Sequence, residues 1–314
     1  MASFNGGAYL AEQLDSLVAQ THADWTLLVS DDGSTDNSRQ ILSAYAKRDA
    51  RIRVLGHERR GVGSALQNFA QLMVAAVDQG AEYILSCDQD DRWEADKIGK
   101  VIAVLKDVEG AEQKPALVHH DLAVVDQHLN LMNSSFMKMM NIQPGDEHNP
   151  QRLISRNEVT GCALACNRAL LKLALPVPDS AIMHDWWLAL FAGFFGRLHF
   201  MPEALVKYRQ HDSNVIGAKS FWHNLNPLNN WLKVWQRGNA EFLDTVVQAN
   251  AFQNAISDRG LKIETPVLDL YAQLPAASRL QRLKNLRACQ LWRSHWLLNA
   301  TLILRMLLLP RTSA

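Results

Sequence analysis

Three carboxylates fall within four residues, Asp88, Asp90 and Asp91, directly after the apolar run Tyr83-Ile84-Leu85-Ser86-Cys87. Carboxylates this close repel and raise one another's pKa, so the group is comfortable only when solvated in a surface turn or neutralised by a cation. Mg²⁺ or Mn²⁺ is the natural partner, because a hard divalent ion takes oxygen ligands: one or two protein carboxylates, with water and phosphate oxygens completing the shell. Alone, such a D-x-D reads as a solvated turn. A second acidic cluster, Asp31-Asp32-Gly33-Ser34-Thr35-Asp36, follows another buried-strand run, Trp25 to Ser30. Two strands that empty carboxylates at one sheet edge predict a phosphate-handling site, since parallel α/β sheets bind ligands beyond the carboxyl ends of their strands. For Asp31 and Asp36 the alternative is turn and helix-cap chemistry, which needs no substrate.

The elements that must position these groups follow from apolar spacing. Leu10, Leu14, Leu17 and Val18 lie on one face of a helix before the first acidic strand. After it, Thr35 is a candidate N-cap for a helix with Ile41, Leu42 and Tyr45 as its buried stripe. Ile52 to Leu55 reads as a short strand, and Leu66, Phe69, Ala70, Met73, Val74 and Val77 as a helix face. Tyr83 to Ser86 is the next strand, and Ile98, Val101, Ile102 and Leu105 a further helix face. A strand near Leu117-Val118-His119 and a helix near Asn167 to Leu175 extend the series. Alternation of this kind predicts an α/β fold with a doubly wound, mostly parallel sheet. Past about Val215 the pattern is helical, with Trp222, Trp231 and Trp235 close together, so the expected division is residues 1–215 and a helical region 216–314.

Composition excludes several classes. The chain has 314 residues, 48% of them hydrophobic, and a formal net charge of zero, which supports a globular core and argues against general nucleic-acid binding. The charge is unevenly placed: no acidic residue follows Asp269, while seven Lys and Arg do. Four cysteines without C-x-x-C spacing predict reduced thiols, and the absence of a basic then apolar N-terminal stretch predicts a cytoplasmic protein. Leu291 to Leu309 is apolar but interrupted by Arg293, His295, Asn299 and Arg305, a poor membrane span. It fits either a helix lying peripherally on an anionic membrane or one packed on protein.

Specific motifs carry a resemblance. Ala2-Ser3-Phe4-Asn5-Gly6-Gly7, Gln20-Thr21, Ser30-Asp31-Asp32-Gly33-Ser34-Thr35-Asp36 and Asp88-Gln89-Asp90-Asp91 resemble the A-T-Y-N-G, Q-T/S, D-D-G-S-T-D and D-x-D-D segments of family 2 glycosyltransferases with the GT-A fold, in particular bacterial rhamnosyltransferase-like members. Thr160-Gly161-Cys162, His184-Asp185-Trp186-Trp187 and Tyr208-Arg209-Gln210-His211 resemble their acceptor-side glycine loop, (E/H)-D-W and Y-R-Q-H motifs, so the likeness covers roughly residues 1–215.

The resemblance implies an inverting, metal-dependent enzyme that moves a sugar, rhamnose being one candidate, from a UDP- or dTDP-sugar to a hydroxyl of a glycan or lipid-linked glycan in cell-surface polysaccharide synthesis, at the inner face of the plasma membrane. Phe4 would lie against the pyrimidine, with Asn5 in the same nucleotide-sugar loop; Asp32 would accept from pyrimidine N3–H, a task for an acceptor-only carboxylate. Asp88 would face the ribose and metal shell, Asp90 and Asp91 would hold the ion, and Asp185 would be the catalytic base. His211 would contact diphosphate or metal, or sit in a loop hydrogen bond. Trp186 or Trp187 would offer a flat face to a sugar or pack in the core.

Two features depart from the family pattern. The apolar residues that normally form a central first strand before A-T-Y-N are absent, which would leave neighbouring backbone groups unpaired unless another segment fills the slot. Arg59-Arg60-Gly61-Val62-Gly63-Ser64-Ala65-Leu66 is not a dinucleotide fingerprint, because Leu66 stands where the last glycine would, and reads as a loop before the helix carrying Asn68. Other readings are a non-catalytic nucleotide-sugar binding or scaffold protein and a D-x-D nucleotidyltransferase or phosphatase. The last lacks D-x-D-x-T/V and any G-x-x-x-x-G-K-S/T loop.

Overall fold

Short apolar segments form the strands of two sheets. In the computed structural model, which describes residues 1–56, 63–144, 149–211, 231–264, 266–292 and 296–311, a first sheet joins β1 (Ala2–Ser3), β2 (Leu27–Asp31) and β3 (Ile52–Val54) in that order, all parallel. The short first strand is thus real but only two residues long, and Met1 extends it through its ammonium to Leu28 O (2.7 Å) and its carbonyl to Ser30 N (3.0 Å). Crossover helices α1 (Leu10–Val18), α2 (Ser38–Arg48) and α3 (Ala65–Asp78) separate the strands, as parallel connections require.

Leu10, Leu14, Leu17, Leu42, Leu66, Phe69 and Met73 are buried where the spacing places them. Val18 and Val74 are exposed instead: Val18 ends its helix, and both lie off the stripe that meets the sheet. Thr35 does not cap α2. The chain runs through a turn first, with Gly33 at φ +91°, and Asp36 accepts from Ser38 N (2.9 Å) and Ser38 Oγ (2.6 Å), a carboxylate being the better acceptor for the helix start.

The second sheet is built from β4 (Tyr83–Leu85), β5 (Arg92–Trp93), β6 (Ala116–Val125), β7 (Leu131–Asn133), β8 (Leu164–Asn167) and β9 (Arg197–Arg209), in the order β4-β8-β6-β9-β5 with β7 beside β6. Its longest ladder, β6 with β9, is parallel; β8 inserts antiparallel between β4 and β6. Between these strands lie α4 (Lys97–Glu109), α5 (Phe136–Met139), α6 (Arg168–Ala174) and α7 (His184–Phe195). The architecture is α/β, with parallel ladders in the first sheet and between β6 and β9 of the second, and helices around them.

Helix α7 is buried nearly all round, and its Trp187 is fully enclosed, donating Nε1–H to Ala174 O (2.8 Å). Its outer side is covered by α8 (Trp231–Asp258), whose Phe242, Val246, Ala249, Phe252 and Ile256 recur at helical spacing. Phe252 meets Phe191 edge-on at 5.0 Å and Trp187 at 5.9 Å. Each such aromatic contributes about 1.5–3 kcal/mol by leaving water, so the C-terminal helices share a core with α7. Helices α9 (Val267–Ala272), α10 (Arg279–Ala288) and α11 (Trp296–Leu308) complete that layer. No helix among the described residues is long and apolar enough to cross a membrane. The Arg59 to Val62 part of the predicted loop, the boundary near Val215, Trp222, the Trp231 side chain, Arg293 and His295 lie outside the described residues.

Candidate functional site

Strand β4 delivers Asp88, Asp90 and Asp91 to the end of the second sheet, and the three differ in setting. Asp91 is fully buried: its Oδ1 accepts from Arg209 N (3.2 Å), while its Oδ2 has no hydrogen-bond partner. Asp88 and Asp91 carboxylate oxygens and the Cys162 sulfur lie within 4.8 Å of one another. Asp90 points to His211, whose Nε2 is 2.8 Å from Asp90 Oδ2. Burial, then the charges of Asp90 and Asp185, pushes Asp88 up to about 7; burial, then Asp88 and Asp90, holds Asp91 well above the carboxylate range.

Two buried cations frame this acid group. Lys97 at the start of α4 is fully buried, donates to Cys162 O (3.0 Å) and lies 3.5 Å from the Trp93 ring centroid. Burial lowers its pKa to about 8, partly opposed by Cys162, Cys87, Asp91 and Asp88. Arg209, 1% exposed, ends β9 and clamps the acidic loop: Nε donates to Asp90 O (2.9 Å), one terminal nitrogen to Gln127 O (2.6 Å) and the other to Glu12, with Tyr9 stacked on the guanidinium.

Asp185 sits at the first turn of α7, 6% exposed. Burial raises its pKa to about 7 even though Trp186 N–H, the Asn157 side chain and Gly161 N–H all favour the anion. Gly161 keeps that approach free of crowding, since a Cβ there would stand 3.3 Å from the His184 ring, a tight contact, and 3.5 Å from Asp185 Oδ2, an ordinary one. His184 itself stacks on Phe69 at 4.1 Å, has no hydrogen bond at either ring nitrogen and is held neutral by burial, its pKa lowered to about 3. Beside Asp185, Trp186 is mostly buried, donating to Leu153 O, and lines a cavity of about 330 Å³ between Ser155-Arg156 and the C-terminal helices.

The first acidic loop reaches the same edge through residues 3–7. Gln89, the variable residue of the D-x-D-D run, reads the Phe4 backbone as a strand would: Phe4 N donates to Gln89 Oε1 (2.8 Å) and Gln89 Nε2 donates to Phe4 O (2.9 Å). A Cβ on Gly6 would fall 2.2 Å from Gln89 Oε1, so only glycine permits this contact. From the other side Asn5, at φ +48°, accepts from Thr35 N (2.8 Å), Asn5 N donates to Ser34 Oγ (2.8 Å) and Gly7 N donates to Asp36 (2.8 Å). Asp32 accepts from Gly63 N at 3.1 Å, and Phe4 is 56% exposed.

The structure therefore gathers Asp88, Asp90, Asp91 and His211 in one cluster, sets Asp185 close enough to raise the pKa of Asp88, and ties Phe4, Asn5 and Asp32 to that edge through Gln89. Asp31 and Asp36 serve the turn: Asp31 accepts from Ser34 and from Arg39 Nε (2.7 Å), and lies below the usual range through those bonds despite burial. Trp187 is core and offers no face to a ligand; Trp186 keeps one edge on the cavity. Sequence reasoning passed over Lys97, Gln89 and the clamping role of Arg209. For Arg209 the Y-R-Q-H run was the available signal; Lys97 carries none, because an amphipathic helix start normally leaves a lysine in water.

Comparison with known proteins agrees with this geometry. The family described as glycosyl transferase family 2 matches residues 1–171. An uncharacterized glycosyltransferase of Nostoc sp. is 26% identical over 224 residues, covering 68% of this chain and 64% of that protein. The dTDP-rhamnosyl transferase RfbG of Shigella flexneri is 25% identical over 263 residues, covering 81% of this chain and 86% of its own length. Among solved structures, S. aureus TarS residues 1–349 in complex with UDP superposes with a TM-score of 0.52 at 15% identity, covering 98% of this chain and 87% of that one, a likeness of fold.

Proposed function

Because the chain belongs to glycosyl transferase family 2, we propose that it transfers a sugar from a UDP- or dTDP-linked donor to a hydroxyl of a glycan or lipid-linked glycan acceptor, with inversion at the anomeric carbon. The relative named as a dTDP-rhamnosyl transferase supports a dTDP-deoxysugar, and the UDP complex of the structural neighbour supports a pyrimidine nucleotide. Residues 1–215 carry the catalytic part and residues 216–314 the helical region behind it.

The carrying observation is Asp185: buried, poised at about 7 and within electrostatic reach of Asp88. A base with that pKa is half ionised at neutral pH and can take the acceptor proton as the oxygen attacks opposite the leaving group. Exposed Phe4 gives the pyrimidine a face to stack on, Asn5 shapes that loop, and Asp32 accepts from N3–H.

The residues present fit a divalent cation. Three carboxylates supply hard oxygens, the buried Asp91 Oδ2 lacks a donor, and Asp88 and Asp91 are raised by burial first and by neighbouring carboxylates second, a cost that a cation would offset. Asp88, Asp90 and Asp91 would hold Mg²⁺ or Mn²⁺; Cys162, its thiol kept protonated by burial, would not. When bound, the ion offsets negative charge on the departing nucleoside diphosphate. His211 holds Asp90 in place beside it.

The test is release of nucleoside diphosphate from a panel of UDP- and dTDP-sugars by wild type and Asp185→Asn. Slow acceptor-free hydrolysis of one donor, abolished with EDTA, and acceptor-dependent release lost in Asp185→Asn, fit the proposal. Binding without any turnover would make the chain a nucleotide-sugar binding protein instead.

A further inference from the structure

We propose that the outward face of α11 docks peripherally on an anionic lipid surface. The helix packs inward through Met306 and, just past its end, Leu309, both buried. Its other side presents Leu297, Ala300, Thr301, Leu304 and Leu308, which fall at i, i+3, i+4, i+7 and i+11 and are all exposed, with Trp296 69% exposed at its start and Trp292 exposed just before it. An isolated exposed leucine is ordinary, but a whole helical stripe without a charge is the mark of an interaction surface.

Charge selects the partner. Helix α10, against which α11 packs, exposes Arg279, Lys284 and Arg287, and Arg311 is exposed just beyond α11; no acidic residue follows Asp269. Arg282 is spent differently: fully buried, it donates to Leu274 O (2.7 Å), Pro275 O (2.6 Å), Met306 O (3.2 Å) and Pro310 O (3.2 Å), fixing the end of α11 to the fold so that the apolar stripe is held outward. Anionic headgroups beside acyl chains match both features, and Trp and Leu on a helix flanked by Lys and Arg suit the interface plane. This docking stands on observations separate from the sugar transfer proposed above and is read without it.

The experiment is flotation of the full chain with vesicles of phosphatidylcholine alone or with 30% phosphatidylglycerol, at low and high salt, for wild type, Leu304→Glu/Leu308→Glu and Lys284→Glu/Arg287→Glu. The expected result is at least about tenfold stronger partitioning on anionic vesicles, weakened by salt and lost in both double variants. Folding is checked by unchanged thermal unfolding. No flotation on either vesicle, flotation unaffected by the variants, or a concentration-dependent dimer abolished by Leu304→Glu/Leu308→Glu without vesicle binding would each overturn the proposal while leaving the transferase reading intact.

Discussion

At the scale of single residues, burial works against the charge of Asp185. Asp185 is buried beside an acid cluster, and its pKa is raised from the ordinary aspartate value to about 7. Between about pH 4 and about pH 7 the folded state holds a proton at this site that the unfolded chain has released, so raising the pH through that window removes stability. Asp185→Asn, which keeps the shape and removes the charge, is expected to lower acceptor-dependent turnover by about 10²–10⁴. Thermal unfolding at pH 8 should leave its stability unchanged or higher by about 1 kcal/mol, since an unfavourable buried charge has gone. Greater loss of stability than of activity would make Asp185 structural. The pH profile of wild-type turnover should rise through an acid limb, because the base works ionised; a flat profile from pH 5 to 8 would contradict that role.

At the scale of elements, what holds the site is a set of clamps between loops. Arg209 joins the ends of β9, the acidic loop, the turn at Gln127 and α1 through one guanidinium. Arg209→Met removes three hydrogen bonds to part-buried acceptors that water can partly re-satisfy, and is expected to cost about 1–3 kcal/mol, read by denaturant unfolding. Gln89→Ala removes the two hydrogen bonds to Phe4 at a partly exposed site, so it should raise donor KM by roughly tenfold with kcat little changed and stability within about 1 kcal/mol. The acid runs, helices α1, α3 and α4, and their buried leucines were legible because hydrophobic period and carboxylate spacing are local signals. Antiparallel β8, between β4 and β6, was not: its apolar residues Leu164, Ala165 and Cys166 carry no direction, and pairing is decided by residues roughly fifty and eighty positions away. Thr35 was misread as a cap because Thr and Asp both suit that place, and only the turn at Gly33 shows which carboxyl reaches the first helical N–H.

At the scale of the whole molecule, the C-terminal helices share a core with α7. Trp187, Phe191 and Phe252 pack together across α7 and α8, so a chain cut at residue 215 would expose a large aromatic face. Such a fragment is expected to aggregate or bind a hydrophobic dye strongly; a soluble, cooperatively unfolding 1–215 fragment would show that the two parts are independent. The helical nature of the tail could be read from its sequence, whereas its shared core with α7 depends on contacts between residues tens of positions apart, which periodicity does not report. Likewise the sequence showed two acidic loops but not the Gln89 bridge that brings them to one edge.

The central claim is that these loops form one nucleotide site completed by a divalent cation. Isothermal titration calorimetry of UDP and dTDP with Mn²⁺ or with EDTA, on wild type and Asp90→Asn, tests it most directly. The account predicts tight binding of at least one nucleotide only with Mn²⁺, weakened by about tenfold or more in Asp90→Asn. Binding of equal strength in EDTA, with Asp90→Asn indistinguishable from wild type, would contradict it.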